Sequence, residues 1–426
     1  MVSSARTGSN QSFDCVVIGA GVVGASVAQR LARSGVRVAV LDQAPEIGGG
    51  CSYANGALLA PGHVSPLATP ALLREAPVQM LRRPPAVRLD PDLTLVGWMS
   101  KLLASAAPRR ASIAQARMRD LAIQSTELHR ALADCGLNPT MRKTGAIDVY
   151  LRSPRMNNKK LLSYKELQDF EPTLAPVEGG THDTEEWTLE SRSFVKSMLG
   201  DAARHGAEMM FGTPVKELLT RGSRVVGVRT PTGTILSENV VLAAGLHSAA
   251  LAAQVGVRLP LRGGRGYVVD LAARPGSDPT LPVRIKEHRI LVTPLEDRVR
   301  VCGSIEFGKE YRPVDPRRGN ALVKVASSVL PSLRDRPIVD RWAGERPCTS
   351  DGVPLIGVAQ GVRNLAIATG HGMWGLILAP ITANLIADHL VAHSPTRAGA
   401  EWLRPDRFTR QVDKGSGSRE SAKELA

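Results

Sequence analysis

The sequence is short of several things, and each shortage narrows the reading. Cysteine occurs five times in 426 residues, at positions 15, 51, 135, 302 and 348, with no C-x-x-C pair. An odd and scattered set offers neither a disulfide framework nor a zinc-ligand spacing, so no metal is expected and a reducing, cytoplasmic setting fits best. No run reaches the roughly 18 uninterrupted apolar residues of a membrane span. Met1 to Ser12 also lack the apolar stretch of a signal peptide, so the chain is expected to be soluble or peripheral. Acidic residues are outnumbered, 40 against 54 basic ones, for a formal charge of +14. That excess could serve nucleic acid, an anionic membrane surface or an anionic cofactor. Aromatic residues are scarce, at 4%, and no basic run is interleaved with them as in a nucleic-acid groove. The arginines are instead spread in pairs such as Arg82-Arg83, Arg109-Arg110 and Arg317-Arg318. No nucleic acid is expected; a peripheral contact with the inner face of a membrane stays open.

Apolar residues are not scarce. At 43% they support a globular core, and the length suits one or two interpenetrating domains. Phe13 to Ile18 is a continuous apolar run of the kind buried on both faces of a sheet. A helix is expected from Val22 to Ser34, stopped by Gly35, and a second strand from Val36 to Asp42. Between strand and helix stands Gly19-Ala20-Gly21-Val22-Val23-Gly24, a G-x-G-x-x-G loop. Gly19 permits the tight turn, Gly21 the approach of a pyrophosphate, and Gly24 close packing of helix on strand. The helix N-terminus offers free N–H groups to phosphate. Asp42 follows Gly24 by 18 residues, where it suits an unphosphorylated adenosine ribose and repels a 2′-phosphate. The unit is a dinucleotide site that disfavours NADP.

Downstream, Gly48 to Pro70 is irregular and rich in Gly, Pro, Ser and Asn, the kind of stretch that lines a ligand. Ser52, Asn55, Gly56 and Ala57 in it let a flat ring lie against the main chain, which favours flavin over nicotinamide. Helical spacing runs from Leu93 to Leu137, with shorter helices at 164–171 and 193–205. Strands are expected at 145–151, 207–215, 225–230 and 240–244. Runs at 266–271, 289–292 and 299–302 suggest a separate antiparallel layer. A helix from Met373 to Ala392 precedes a polar tail.

Ser52 to Ala57, Pro61-Gly62-His63 and Arg88-Leu89-Asp90 resemble the amino-terminal third of D-amino acid dehydrogenase small subunits. Gly344-Glu345-Arg346-Pro347, Asp351 to Gly357 and Gly370-His371-Gly372-Met373-Trp374-Gly375 resemble that family's G-x-R-P, D-G-x-P-x-x-G and G-H-G-x-x-G signatures. The resemblance spans residues 13 to 392. It implies the fold of the wider D-amino acid oxidase group, an α/β Rossmann-like FAD domain built from discontinuous segments with an antiparallel-sheet substrate domain. The expected FAD pieces are 13–90, 185–250 and 335–392. The substrate pieces are 91–184 and 251–334, with disordered tails at 1–12 and 395–426. The resemblance also assigns Val215 to the adenosine and Ala243-Ala244-Gly245 to a second approach to FAD. The turn from Gly370 to Gly375 aims a helix N-terminus at the flavin's pyrimidine edge.

The implied reaction is oxidation of a small amino or imino acid by hydride transfer to flavin N5, with an arginine holding the α-carboxylate. Arg346 is the first candidate for that contact and Tyr267 the second; His371 could touch ring or carboxylate. His63 and Tyr53 could roof the pocket, and Cys51 reads as a small buried thiol. One departure matters: relatives often carry an arginine in the strand that here reads Ile290 to Leu295, which ends in Pro294 and Leu295. Arg289 or Arg265 could substitute, and cyclic or N-alkylated substrates remain open. Trp187 to Glu190 also departs from the D-alanine-type pattern. The electron acceptor could be a quinone, a partner flavoprotein or oxygen, and a non-catalytic FAD-containing subunit is the rival outside the enzyme class.

Overall fold

The computed structural model describes residues 11–47, 50–82, 85–153, 161–391 and 400–408. A strand that is apolar on both faces must be covered on both, and the opening strand Gln11–Ile18 obeys this. Val16 and Val17 are fully buried. The strand lies parallel between Gly233–Leu242 and Val38–Leu41, with Val17 opposite both Val241 and Val40. Around this centre an eight-stranded sheet runs in the order 217–221, 224–230, 233–242, 11–18, 38–41, 208–210. Leu365–Thr369 adds parallel to Gly233–Leu242, and Leu355–Val358 pairs antiparallel with it.

The helix Val22–Arg33 covers one face. It packs on Gly375–Leu390 and Ser191–Arg204, and Pro108–Asp134 lies on Gly375–Leu390. Gly35 ends the first helix at φ +81°, a left-handed turn open to glycine.

The second layer is an eight-stranded, mostly antiparallel sheet ordered 338–349, 261–272, 298–307, 290–294, 283–285, 146–150, 179–183, with 87–89 beside 298–307. Alternation divides its faces. Tyr267, Val269, Leu271 and Val301 pack into a core with the helix Pro316–Val329, while Gly266, Val268, Cys302 and Ser304 line a cavity shared with the first sheet.

Several expectations are corrected. Strand Ile338–Thr349 pairs with Leu261–Ala272, so segment 335–349 builds the second sheet and not the dinucleotide layer. The helical stretch from 93 is broken before Pro108 into Val96–Ser105 and Pro108–Asp134, because proline's missing N–H and fixed φ favour a fresh start at the first helical position. The strand expected at 207–215 is only Glu208–Met210. Of the tail placed at 395–426, residues 400–408 are ordered, pinned by Arg407 to Asp351 at 2.8 Å. The remainder, like 1–10, lies outside the described residues. No helix among the described residues is long and apolar enough to cross a membrane.

Candidate functional site

A cavity of about 1000 Å³ runs between the two sheets, at the top of the roughly 300–1,000 Å³ usual for small-molecule sites. One end is built by the glycine loop. A Cβ on Gly19, at φ +104°, would sit 2.5 Å from the Ala243 carbonyl oxygen, and one on Gly24 would sit 1.9 Å from the Gly19 oxygen. Both glycines are therefore demanded by packing. Gly21 caps the helix without a side chain, and the first turn holds no acid; the Val22 N–H donates to Ser52 Oγ at 2.9 Å. Asp42 accepts from Ala20 N at 2.7 Å and Ala44 N at 2.8 Å, which fixes the loop and leaves further lone pairs on the carboxylate. Ala20, Val22, Val23, Asp42, Val215, Ala244 and Gly245 all line this end.

The middle is walled by two glycine-rich turns. Asn55 Oδ1 accepts from Ala57 N at 2.9 Å, with Ala57 at φ +51°. The Gly56 carbonyl accepts from Thr293 Oγ1 at 2.8 Å and the Asn55 carbonyl from Arg300 at 3.3 Å. Arg300 is 1% exposed and forked onto Asp270, so the turn rests on a rigid base. A Cβ on Gly56 would meet Leu291 at 2.8 Å. Opposite, Gly370 and Gly372 adopt φ +78° and +56°, and the helix starts at Gly375 with no side-chain cap. Met373, Trp374, Gly375 and Leu376 line the cavity, so the positive end of a 16-residue helix opens onto it. These features fit a flat, electron-accepting ring joined to a pyrophosphate. Cys51 lines the cavity too, and burial pushes its thiol up to about 12. Burial thus disfavours its thiolate, and the thiol donates to the Glu345 carbonyl at 2.8 Å.

Five arginines line the cavity: 265, 284, 289, 312 and 346. Four are bound to acids. Arg265 holds Glu345 at 2.8 Å, Arg284 holds Glu186 and Asp148 at 2.5 Å each, Arg289 holds Glu75 at 2.7 Å, and Arg312 holds Asp90 at 2.5 Å. Arg346 donates to the Ser304 carbonyl at 3.0 Å and has no acidic partner among the described residues. Its guanidinium lies against Gly266, where any Cβ would meet Nη2 at 2.1 Å. Cys302 lies near enough to feel its charge, and Leu291 and Ile305 line the same cavity. A guanidinium without a carboxylate in a partly dry cavity is poised to receive one.

The other candidates fare differently. Tyr267 does not line the cavity; it sits one position out of phase on its strand, 4% exposed, with its hydroxyl 3.4 Å from Glu306 Oε2. His371 borders the cavity, but its Nε2 is engaged with Thr382 Oγ1 at 3.0 Å and burial pushes its pKa down to about 3. Burial thus favours its neutral form. Arg265 is paired with Glu345 in a buried ion pair and Arg289 with Glu75 in a half-exposed one. Tyr53 donates to Asp340 at 2.8 Å, away from the cavity wall. Arg284 was not anticipated: its partners lie 98 and 136 residues away, a separation no local motif reveals. It also donates to His63 Nε2 at 3.1 Å. His63, Asp183 and Glu186 have ligand atoms within 4.8 Å of one another, yet a cation there would face the Arg284 guanidinium.

His371 and His129 together make acid stability testable. Burial holds them near 3 and 4 when folded, against 6.5 for a free imidazole. Between pH 6.5 and 4 the unfolded chain therefore binds more protons, and stability falls as pH falls, by at most about 1.4 kcal/mol per pH unit per histidine. Above pH 6.5 neither contributes. In urea titrations, His371→Gln should flatten the dependence over that window; an unchanged slope would mean that His371 is not held neutral.

The same architecture recurs among known proteins. A family model described as FAD dependent oxidoreductase, DAO, matches residues 14–389. The chain is 32% identical to a D-amino acid dehydrogenase of Paramagnetospirillum magneticum over 92% of this chain and 98% of that one. It superposes on glycine oxidase from Geobacillus kaustophilus with a TM-score of 0.72 at 24% identity, covering 93% of this chain and 99% of the other. L-proline dehydrogenase from P. horikoshii gives 0.71 at 19% identity over 94% and 99%. The glycine loop, the two walls of the cavity and these likenesses agree: the chain belongs to the DAO family of FAD-dependent oxidoreductases, and FAD is its cofactor.

Proposed function

We propose that the protein oxidises a small amino or imino acid at the C–H bond next to nitrogen, with its carboxylate held by Arg346. The observation that carries this reading is the one cavity arginine that has no acidic partner among the described residues. The D-amino acid dehydrogenase likeness, 32% identical over most of both chains, supports the substrate class. Gly19, Ala20, Gly21, Val22, Val23, Gly24 and Asp42 would hold the pyrophosphate and ribose, with Val215, Ala244 and Gly245 beside the adenosine. Ser52, Asn55, Gly56, Ala57 and the turn from Gly370 to Gly375 would hold the ring. Bound there, FAD supplies the two-electron acceptor. The chain's own work is positional: Arg346 fixes the carboxylate, Leu291, Cys302 and Ile305 exclude water, and that dryness favours the neutral amine whose lone pair assists C–H cleavage. His371, neutral and bonded to Thr382, serves as wall and not as proton carrier. Anaerobic mixing of the yellow protein with D-, L-, N-methyl and cyclic amino acids tests the reading, since at least one should bleach the flavin; failure of all would favour a non-catalytic FAD subunit.

For the acceptor, the surface favours a membrane-borne quinone. Val78, Met80, Leu81, Leu93 and Val96 are 40–90% exposed, and Arg74, Arg88 and Lys101 are exposed on the same stretches of chain. Exposed apolar side chains interspersed with cations suit a bilayer surface, though Arg88 is paired with Asp90 at 2.7 Å and Glu75 stands exposed on the same segment. Sedimentation with phosphatidylglycerol vesicles should be salt-sensitive and reduced by Leu81→Glu, with little peroxide formed in turnover. Stoichiometric peroxide would identify an oxidase instead.

A further inference from the structure

We propose that Tyr311 and His247 form an aromatic clasp that retains FAD, a contact supplied to the cofactor by the opposite sheet. The proposal rests on the FAD placement above. The two rings stack with centroids 5.2 Å apart and planes at 17°, and both line the cavity. His247 belongs to the turn that carries Ala244 and Gly245, after strand Gly233–Leu242. Its Nε2 lies 3.2 Å from Gln43 Nε2, the residue after Asp42. Tyr311 comes from the segment between strand Arg298–Phe307 and helix Pro316–Val329. The stack therefore ties the second sheet to the first over the end of the cavity lined by Asp42, Gln43, Ala244 and Gly245.

Tyr311 is held there at some cost. Its φ is +55°, a conformation that bulky residues avoid and that persists only where surroundings impose it. The surroundings are specific. Tyr311 N donates to Glu345 Oε1 at 3.3 Å, Gly263 N donates to Glu310 Oε1 at 2.8 Å, and Arg265 donates to the carbonyls of Arg312 and Pro313 at 2.7 and 3.0 Å. Four successive residues, 310 to 313, are thus bonded to the strand pair carrying Arg265 and Glu345. Yet the residue is 58% exposed and belongs to no core cluster among the described residues. A strained, multiply tethered aromatic that stacks on the opposite sheet, across a cofactor cavity, is placed to cover what lies beneath.

The test is FAD release from the yellow protein after dilution, followed by the fluorescence of the freed flavin, alongside the melting temperature of the FAD-free chain. Tyr311→Ala and His247→Ala should each release FAD about two- to tenfold faster, the scale of one aromatic pair. The double variant should be no faster than the singles. Tyr311→Phe, which keeps the ring, should match wild type. Unchanged release in Tyr311→Ala overturns the clasp alone, as does a fall in the FAD-free melting temperature without faster release. A Tyr311→Phe variant as fast as Tyr311→Ala overturns it also, by assigning the effect to the hydroxyl. A wild-type chain that takes up no FAD overturns clasp and flavin placement together.

Discussion

Arg346→Met is expected to raise the KM for the amino acid substrate by about 10²- to 10⁴-fold, while the protein stays folded and yellow. The magnitude follows from losing two charge-assisted hydrogen bonds at roughly 1.5–3 kcal/mol each. The side chain bonds only the Ser304 carbonyl at 3.0 Å, so its removal strands no buried acid. Removal of Arg265 or Arg284 would leave Glu345 or Glu186 uncompensated, at about 3–5 kcal/mol of stability. Lysine at 346 should recover part of the loss, because it supplies charge without the fork. Steady-state kinetics and the flavin spectrum check both halves: a KM within threefold of wild type would remove Arg346 from substrate binding, and loss of flavin would reassign it to the cofactor.

Gly24→Ala should be nearly as damaging for a different reason. The new Cβ would fall 1.9 Å from the Gly19 oxygen and 3.3 Å from the Ala243 Cβ, so the helix Val22–Arg33 must lift from the sheet. Overpacking of this kind costs about 1–3 kcal/mol or more, and it displaces the N-terminal N–H groups that face the pyrophosphate. The variant should purify with little or no FAD and melt early. Gly97→Ala is the control: no atom lies within 4 Å of its Cβ, and it should be harmless. A Gly24→Ala protein as stable and as yellow as wild type would show that the loop holds no cofactor.

What could be read in advance, and what could not, divides along sequence distance. The geometry at Gly19, Gly21, Gly24 and Asp42 was legible because it depends mainly on neighbours within one strand-helix-strand unit. The turns around Asn55 and His371 were legible as glycine-rich interruptions of apolar pattern. Arg346 was legible as a residue type, but its distinction was not. It follows from the capture of the other cavity arginines by acids far away in sequence, Glu75 lying 214 residues from Arg289. Tyr267 failed by one position: alternation along Leu261–Ala272 turns Gly266 and Val268 to the cavity and Tyr267 to the core, and a sequence carries no mark of which face is which. The helices Pro70–Leu81 and Pro316–Val329 went unread. The first carries an internal Pro77 and buries only Gln79 among its residues, so it lacks the apolar stripe on which periodicity arguments depend.

The most direct test is anaerobic bleaching of the yellow protein by an amino acid that it oxidises, compared with the amide of that same amino acid, in wild type and in Arg346→Met. The free acid should bleach wild type rapidly, the amide should do so only at concentrations higher by orders of magnitude, and Arg346→Met should no longer tell them apart. Equal bleaching of wild type by acid and amide, or undiminished discrimination in Arg346→Met, would contradict it.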